Sequence, residues 1–231
     1  MKDGPSEDRR LPLFPLPDVV HFPRTELRLD VRDPRYQRLI RDIVEKDEEA
    51  RCIGIVLLKP GWDHDGAGRP EIFPGGTAGR VMDAELLPNG CSSVVLHGEF
   101  RFELRREILH EPYREGVVHP VAEPWLNERD AGIVAVRGGI VDLLRRLAAE
   151  LGESFPVAAE EAEQLSKGCA FEELVNCVAA QLDLPPLRKL QLLHETIPER
   201  GLSVLSILRS RQRVVDLLRP FCHLSTKSHL N

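Results

Sequence analysis

The densest group of side chains able to do chemistry is Trp62-Asp63-His64-Asp65-Gly66, where two carboxylates flank an imidazole in a glycine-rich stretch. Carboxylates and imidazoles hold divalent ions and relay protons. Adjacent loop residues seldom converge on one ion without further ligands, however, and Asp-Gly favours turns, so the cluster reads as a solvated surface loop. Ser166-Lys167 is a nominal Ser/Lys dyad. Such a pair needs its lysine desolvated beside the serine, whereas this one precedes Gly168 in a polar link. The five cysteines (Cys52, Cys91, Cys169, Cys177, Cys222) are odd in number and widely spaced, with no CxxC pair, which suggests neither a disulfide framework nor a zinc finger. Cys52 sits in an apolar run and Cys177 beside a helical stripe, where a free thiol acts as a small hydrophobe.

The familiar catalytic signatures are missing. There is no Gly-Lys dipeptide, hence no phosphate loop, and neither a helix-opening GxGxxG nor a GxSxG elbow occurs. Neither His110-Glu111 nor His194-Glu195 is followed by a second histidine at metal-binding helical spacing. The sequence therefore assigns no catalytic residue, no metal ligand and no cofactor. Aromatic residues make up only 5% of the chain, so the few large rings stand out. Trp62 and Phe73 bracket a Gly- and Pro-rich connection from Lys59 to Gly79, a length typical of functional loops or of flaps over a barrel end. Trp125, just after Pro124, reads as a pin between two parts of the chain.

Patterning supplies the elements that must position these residues. Thr25 to Val31 alternates strictly, with Leu27, Leu29 and Val31 on one face, and reads as a half-buried strand. Cys52 to Leu58 is a continuous apolar run of strand length and reads as a central strand buried on both faces. Gly79–Leu87 and Cys91–His97, joined by Pro88-Asn89-Gly90, form a hairpin signal. The second run continues past Gly98, a candidate bulge, into the alternating Phe100 to Leu104. A further strand is expected at Gly116–Val121, and an amphipathic helix at Pro34–Glu49 carries Tyr36, Leu39, Ile40, Ile43 and Val44 on one face. Beyond Pro124 the period changes. Ile133 to Leu151 carries one helical stripe that Gly152 is placed to end. Further helices are expected through Phe171–Leu182, from Pro185-Pro186 through Leu193, and from Pro198 to Leu218, making a bundle of four antiparallel helices.

These readings divide the chain into a flexible tail at 1–10, a β-rich part at 11–122, a helical bundle at 123–219 and a second tail at 220–231. The fold class is α+β. The chain has 231 residues with 31 Lys plus Arg against 37 Asp plus Glu, so its net charge of -6 argues against general nucleic-acid binding. No run approaches the roughly 18 apolar residues needed to cross a bilayer, and residues 1–10 lack a signal-peptide core, so a cytoplasmic protein without a membrane partner is expected.

The opening LPLFPLPDVVHFP (residues 11–23), the later Gly79-Arg80-Val81, the Leu87–Gly90 turn, the Gly98–Phe102 segment, and Leu182–Pro185 followed by Lys189–Leu193 resemble the N-terminal, substrate-binding domain of Lon proteases. The resemblance covers about residues 11 to 215. It departs from the family pattern at Leu16–Val19, where members typically carry Arg-Asp-Val or a similar triplet, and in the longer Trp62–Gly76 stretch. The resemblance implies a PUA-like pseudo-barrel followed by a helical bundle, and a stand-alone Lon-N protein without ATPase or protease. It implies a binding module for exposed segments of polypeptide clients, or for a protease partner, with Trp62, Phe73 and Trp125 as candidate contacts. An RNA-binding PUA-like protein is the alternative, resting on Arg209, Arg211, Arg213 and Arg219, a cluster that reads more simply as a solvated helix face or a subunit contact.

Overall fold

The structure is a computed structural model and describes residues 7–61, 69–86, 91–108 and 111–219. It is α+β and separates into two compact units, Met1–Trp125 with Asp183–Thr196, and Leu126–Leu182 with Ile197–Asn231.

Unit 1 is built on a six-stranded sheet of β1 (Arg9–Leu16), β2 (Glu26–Val31), β3 (Cys52–Leu58), β4 (Ile72–Leu86), β5 (Ser92–Ile108) and β6 (Arg114–Pro120) in the order β2-β5-β4-β3-β1-β6. An additional β5–β6 pairing closes all of these except β2 into a barrel. β5 permits this because it is 17 residues long: its first half lies between β2 and β4, and its second half between β4 and β6. β3 is central and buried from Ile53 to Leu58, as its unbroken apolar run predicts. The expected hairpin is present, with Leu86 opposite Ser92, although its Pro88-Asn89-Gly90 turn lies outside the described residues.

Inside the barrel, Leu11, Leu13, Val56, Ala78, Phe102 and Val118 pack together. A second apolar cluster joins Leu39, Ile40 and Ile43 of α1 (Pro34–Val44) to Val31, Ile53, Val81, Val94 and Leu96. Helix α1 starts on Asp33, whose carboxylate accepts from Arg35 N at 2.9 Å, with Pro34 at the first helical position. It ends at Val44 rather than Glu49, and Glu48–Ala50 form a separate 3-10 turn. Each fully buried Leu or Ile contributes roughly 1.5–3 kcal/mol of transfer free energy.

One turn, His21 to Thr25, is tied down closely. Arg24 takes a left-handed φ of 62°, its N–H donates to Gly98 O at 2.8 Å, and Gly98 N donates to Thr25 O at 2.9 Å. A Cβ on Gly98 would overlap the Phe22 carbonyl, so only glycine lets the turn lie this close. The expected irregularity at Gly98 is there too. The β4–β5 register jumps from Ala78↔Phe100 to Gly79↔Gly98, leaving Glu99 as the extra residue. His21 itself is only 3% exposed, and its Nε2 has no hydrogen-bond partner among the described residues. Burial, reinforced by the charge of nearby His97, lowers its pKa to about 4, so the ring is neutral.

Three expectations for this unit are corrected. β1 begins at Arg9, inside the segment read as a tail, and its two prolines hide it from pattern reading. The long connection after Lys59 is shorter than it looks, because Ile72 to Arg80 is strand paired to β3. Helix α5 (Pro186–His194), expected in the bundle, belongs to unit 1 and packs on β4.

Unit 2 contains α2 (Ala131–Leu151), α3 (Ala159–Ser166), α4 (Phe171–Gln181) and α6 (Ile197–Leu218). Asp130 caps α2 by accepting from Gly132 N at 2.8 Å, and Gly152 closes it at a φ of 54°, the role its position predicts. No side chain of its own caps the start of α4. Glu128 supplies the acceptor instead, taking Phe171 N at 3.0 Å. The short α3 has too few turns to register as a stripe. The helices are also not all antiparallel: Gly201 approaches Val136, Leu205 approaches Gly139 and Gln212 bonds Glu150, so α2 and α6 run parallel. In the core, fully buried Arg200 donates to the buried Asn176 side chain, a polar pair that helical periodicity cannot foretell.

Candidate functional site

On the outer face of the barrel, β4 and β5 present Phe73, Gly75 and Thr77 opposite the alternate positions of β5, with Gly75↔Glu103 and Thr77↔Arg101 in register. Arg101 is the organising residue. Only 8% exposed, it donates from its guanidinium to Leu193 O at 3.0 Å, His194 O at 2.9 Å and Glu195 O at 3.2 Å. Those carbonyls belong to the last turn of α5 and the residue after it, where a helix carries unsatisfied acceptors and the negative end of its dipole. Arg101 Nε also pairs with the Glu123 carboxylate at 2.5 Å. One guanidinium thus clamps the end of α5 to the sheet and fixes the segment that follows β6.

Gly75 makes the close approach possible. A Cβ there would overlap the imidazole of His194, so the last residue of α5 lies directly on the β4 backbone. Phe73, half-buried, is two residues before Gly75 on the same strand face. Trp125 is two residues after Glu123 and 86% exposed. Phe73 and Trp125 both belong to unit 1, the first half-buried and the second exposed. Trp62 and the Asp63-His64-Asp65 cluster lie outside the described residues.

Among the described residues no group of three or more His, Cys, Asp or Glu is placed to hold a metal ion. The Lys167 ammonium of the nominal dyad pairs with Glu163 at 3.2 Å on an exposed surface, not in a desolvated site. Burial pushes the Cys52 thiol up to about 11 and the Cys177 thiol up to about 12, the opposite of what a thiolate nucleophile requires.

Sequence reasoning missed Arg101 and Glu123. The alternation Phe100-Arg101-Phe102 places Arg101 on the outward face, as a solvated charge would be, and nothing local signals that α5 returns to cover it.

Comparison with known proteins agrees with this architecture. The chain is 26% identical over 209 residues to a Lon protease of Flavobacterium johnsoniae, covering 90% of this chain and 25% of that protein. It is 27% identical over 210 residues to Lon protease 2 of Myxococcus xanthus, covering 90% of this chain and 24% of that protein. The chain thus spans about a quarter of the length of these relatives. Among solved structures, the N-terminal domain of a Mycobacterium avium complex Lon protease superposes with a TM-score of 0.66 at 15% identity, covering 87% of this chain and 98% of that one. A Lon N-terminal domain protein from Xanthomonas campestris superposes at 0.59 with 24% identity, covering 86% and 98%. These two likenesses establish the fold. Residues 10–210 match the sequence profile of the ATP-dependent protease La (LON) substrate-binding domain, and by that match the chain belongs to this domain family.

Proposed function

We propose that the chain is a non-catalytic binding module that recognises exposed segments of other polypeptides, clients or a protease partner, using the rim of unit 1 around Trp125 and Phe73. The family match supports a substrate-binding module. The observation that carries the choice of surface is the Trp125 ring, 86% exposed in a chain with so few aromatics. Tryptophan is over-represented among residues that dominate binding energies. Half-buried Phe73 is taken as a second apolar contact, and Trp62 is a third candidate contact read from the sequence. Neither ATP hydrolysis nor peptide cleavage belongs to this function, and its setting is the cytoplasm. Among the described residues no helix is long and apolar enough to cross a membrane.

The test is a titration of the protein with a reduced, unfolded protein, followed by tryptophan fluorescence and by anisotropy of the labelled client. Saturable binding is expected, weakened by about tenfold or more in Trp125→Ala, the loss associated with a central aromatic anchor, and to a lesser degree in Phe73→Ala. Absence of saturable binding, or equal affinity in all three proteins, refutes the proposal.

A further inference from the structure

On unit 2, Leu202, Ser206, Arg209, Arg213 and Leu217 of α6 follow one another at spacings of three and four and therefore share one face of the helix. This stripe is unusual in its ends and its middle. Leu202 is 57% and Leu217 73% exposed, while the two arginines between them are exposed and one turn apart. Over its middle the stripe borders a cleft of about 540 Å³ lined by Leu143 of α2 with Ser206, Arg209, Gln212 and Arg213.

Two carboxylates beside Gln212 of this helix are already engaged. Glu150 accepts from Gln212 Nε2 at 2.9 Å and pairs with Arg219, and Asp216 accepts from the same Gln212 nitrogen at 3.2 Å and lies 3.7 Å from Arg219. Arg213 meets only the Ser210 hydroxyl, at 3.4 Å, and neither Arg209 nor Arg213 has a carboxylate partner among the described residues. Two guanidiniums with unused donors, beside Leu143 in the cleft and between two exposed leucines, present a pattern that a complementary chain can match.

We infer that this face of α6 docks an acidic, leucine-bearing segment of a partner polypeptide, held in helical form with its carboxylates on Arg209 and Arg213 and its apolar residues against Leu143, Leu202 and Leu217. Guanidinium and carboxylate match in fork geometry, and an amphipathic helix in a helix-lined groove is a recurrent recognition mode. The exposed leucines and the absence of any aromatic ring from the stripe favour a peptide over a nucleic-acid strand, which needs stacking platforms. The span from Leu202 to Leu217 is about 22 Å at 1.5 Å per residue, so a partner helix of about 15 residues covers it. The inference rests on the polypeptide-binding function proposed above and adds a second contact surface with defined chemistry.

Anisotropy of a labelled 15-residue peptide, with glutamates at its centre and leucines toward both ends, tests it against the intact chain. The same peptide with lysines replacing the glutamates and a single-stranded RNA of about the same length serve as competitors. Salt-sensitive binding of the acidic peptide is expected, reduced tenfold or more by Arg209→Glu with Arg213→Glu and unchanged by Arg28→Glu with Arg41→Glu, which alters charge equally on unit 1. Equal loss in both double variants, preference for RNA, or a switch in oligomeric state caused by Arg209→Glu with Arg213→Glu overturns it, the last by assigning the face to a second copy. If unfolded client still binds through Trp125 while the acidic peptide does not, only this inference fails. If neither binds, the function proposed above fails with it.

Discussion

His21 offers a quantitative test of how the barrel is held together. Its ring is enclosed by Thr25 of its own turn, by the β4 backbone near Gly79 and by His97 of β5, and is held neutral by burial with a pKa of about 4 against an ordinary 6.5. Because the folded value is the lower one, the unfolded chain binds the extra proton between these limits. Stability is therefore complete above about pH 6.5 and is lost as pH falls toward 4. At about 1.4 kcal/mol per pH unit the full separation corresponds to about 3 kcal/mol, of which about 2 is lost between pH 7 and pH 5. The measurement is urea unfolding at several pH values in this range for wild type and His21→Leu. Leucine fills similar space without a proton site, and the Thr77 hydroxyl still donates to the backbone carbonyl of residue 21, now at 2.7 Å. Carboxylates titrating in the same range contribute alike to both proteins, so the difference between the two curves isolates the imidazole. The variant is expected to lose about 2 kcal/mol less than wild type between pH 7 and pH 5. Parallel curves would refute the placement of His21 as a buried neutral base.

Two further outcomes follow from the geometry. Arg101→Ala removes the donor to three helix-end carbonyls and leaves the Glu123 carboxylate without its partner, so it is expected to cost about 3–5 kcal/mol, as breaking a buried pair does; amide exchange across α5 should accelerate with it, and unchanged exchange there would contradict the clamp. Cys52 and Cys177, with pKa values near 11 and 12, should react with a thiol reagent at pH 8 far more slowly in the folded protein than in urea, and equal rates would show that these thiols are not buried as described.

What could be read from the residues follows from where each element finds its determinants. β3, the β4–β5 hairpin and the two ends of α2 are specified locally, by an apolar run, by paired β runs and by Asp130 and Gly152. β1 is hidden because Pro12 and Pro15 argue against a strand. Pairing shows the setting in which they are tolerated: Pro12 is in register with β6 alone and Pro15 with β3 alone, so each sits where β1 has a partner on one side only, as at a sheet edge. The support of the candidate site was not legible in the residues. Phe73 and Trp125 stand out as rare rings, whereas Arg101 acquires its role only from carbonyls 92 to 94 residues further along the chain.

That distance bears on the order in which the protein can be completed during synthesis. The barrel strands all leave the ribosome before Pro120 is passed, yet the guanidinium of Arg101 has no helix end to hold until Leu193 to Glu195 have been made, after most of unit 2. Until then a buried-type arginine and its glutamate face water, and the Gly75 backbone stands uncovered. A fragment cut after the last strand would keep every strand and lack this closure, and a single cut anywhere in the chain cannot release unit 1 whole.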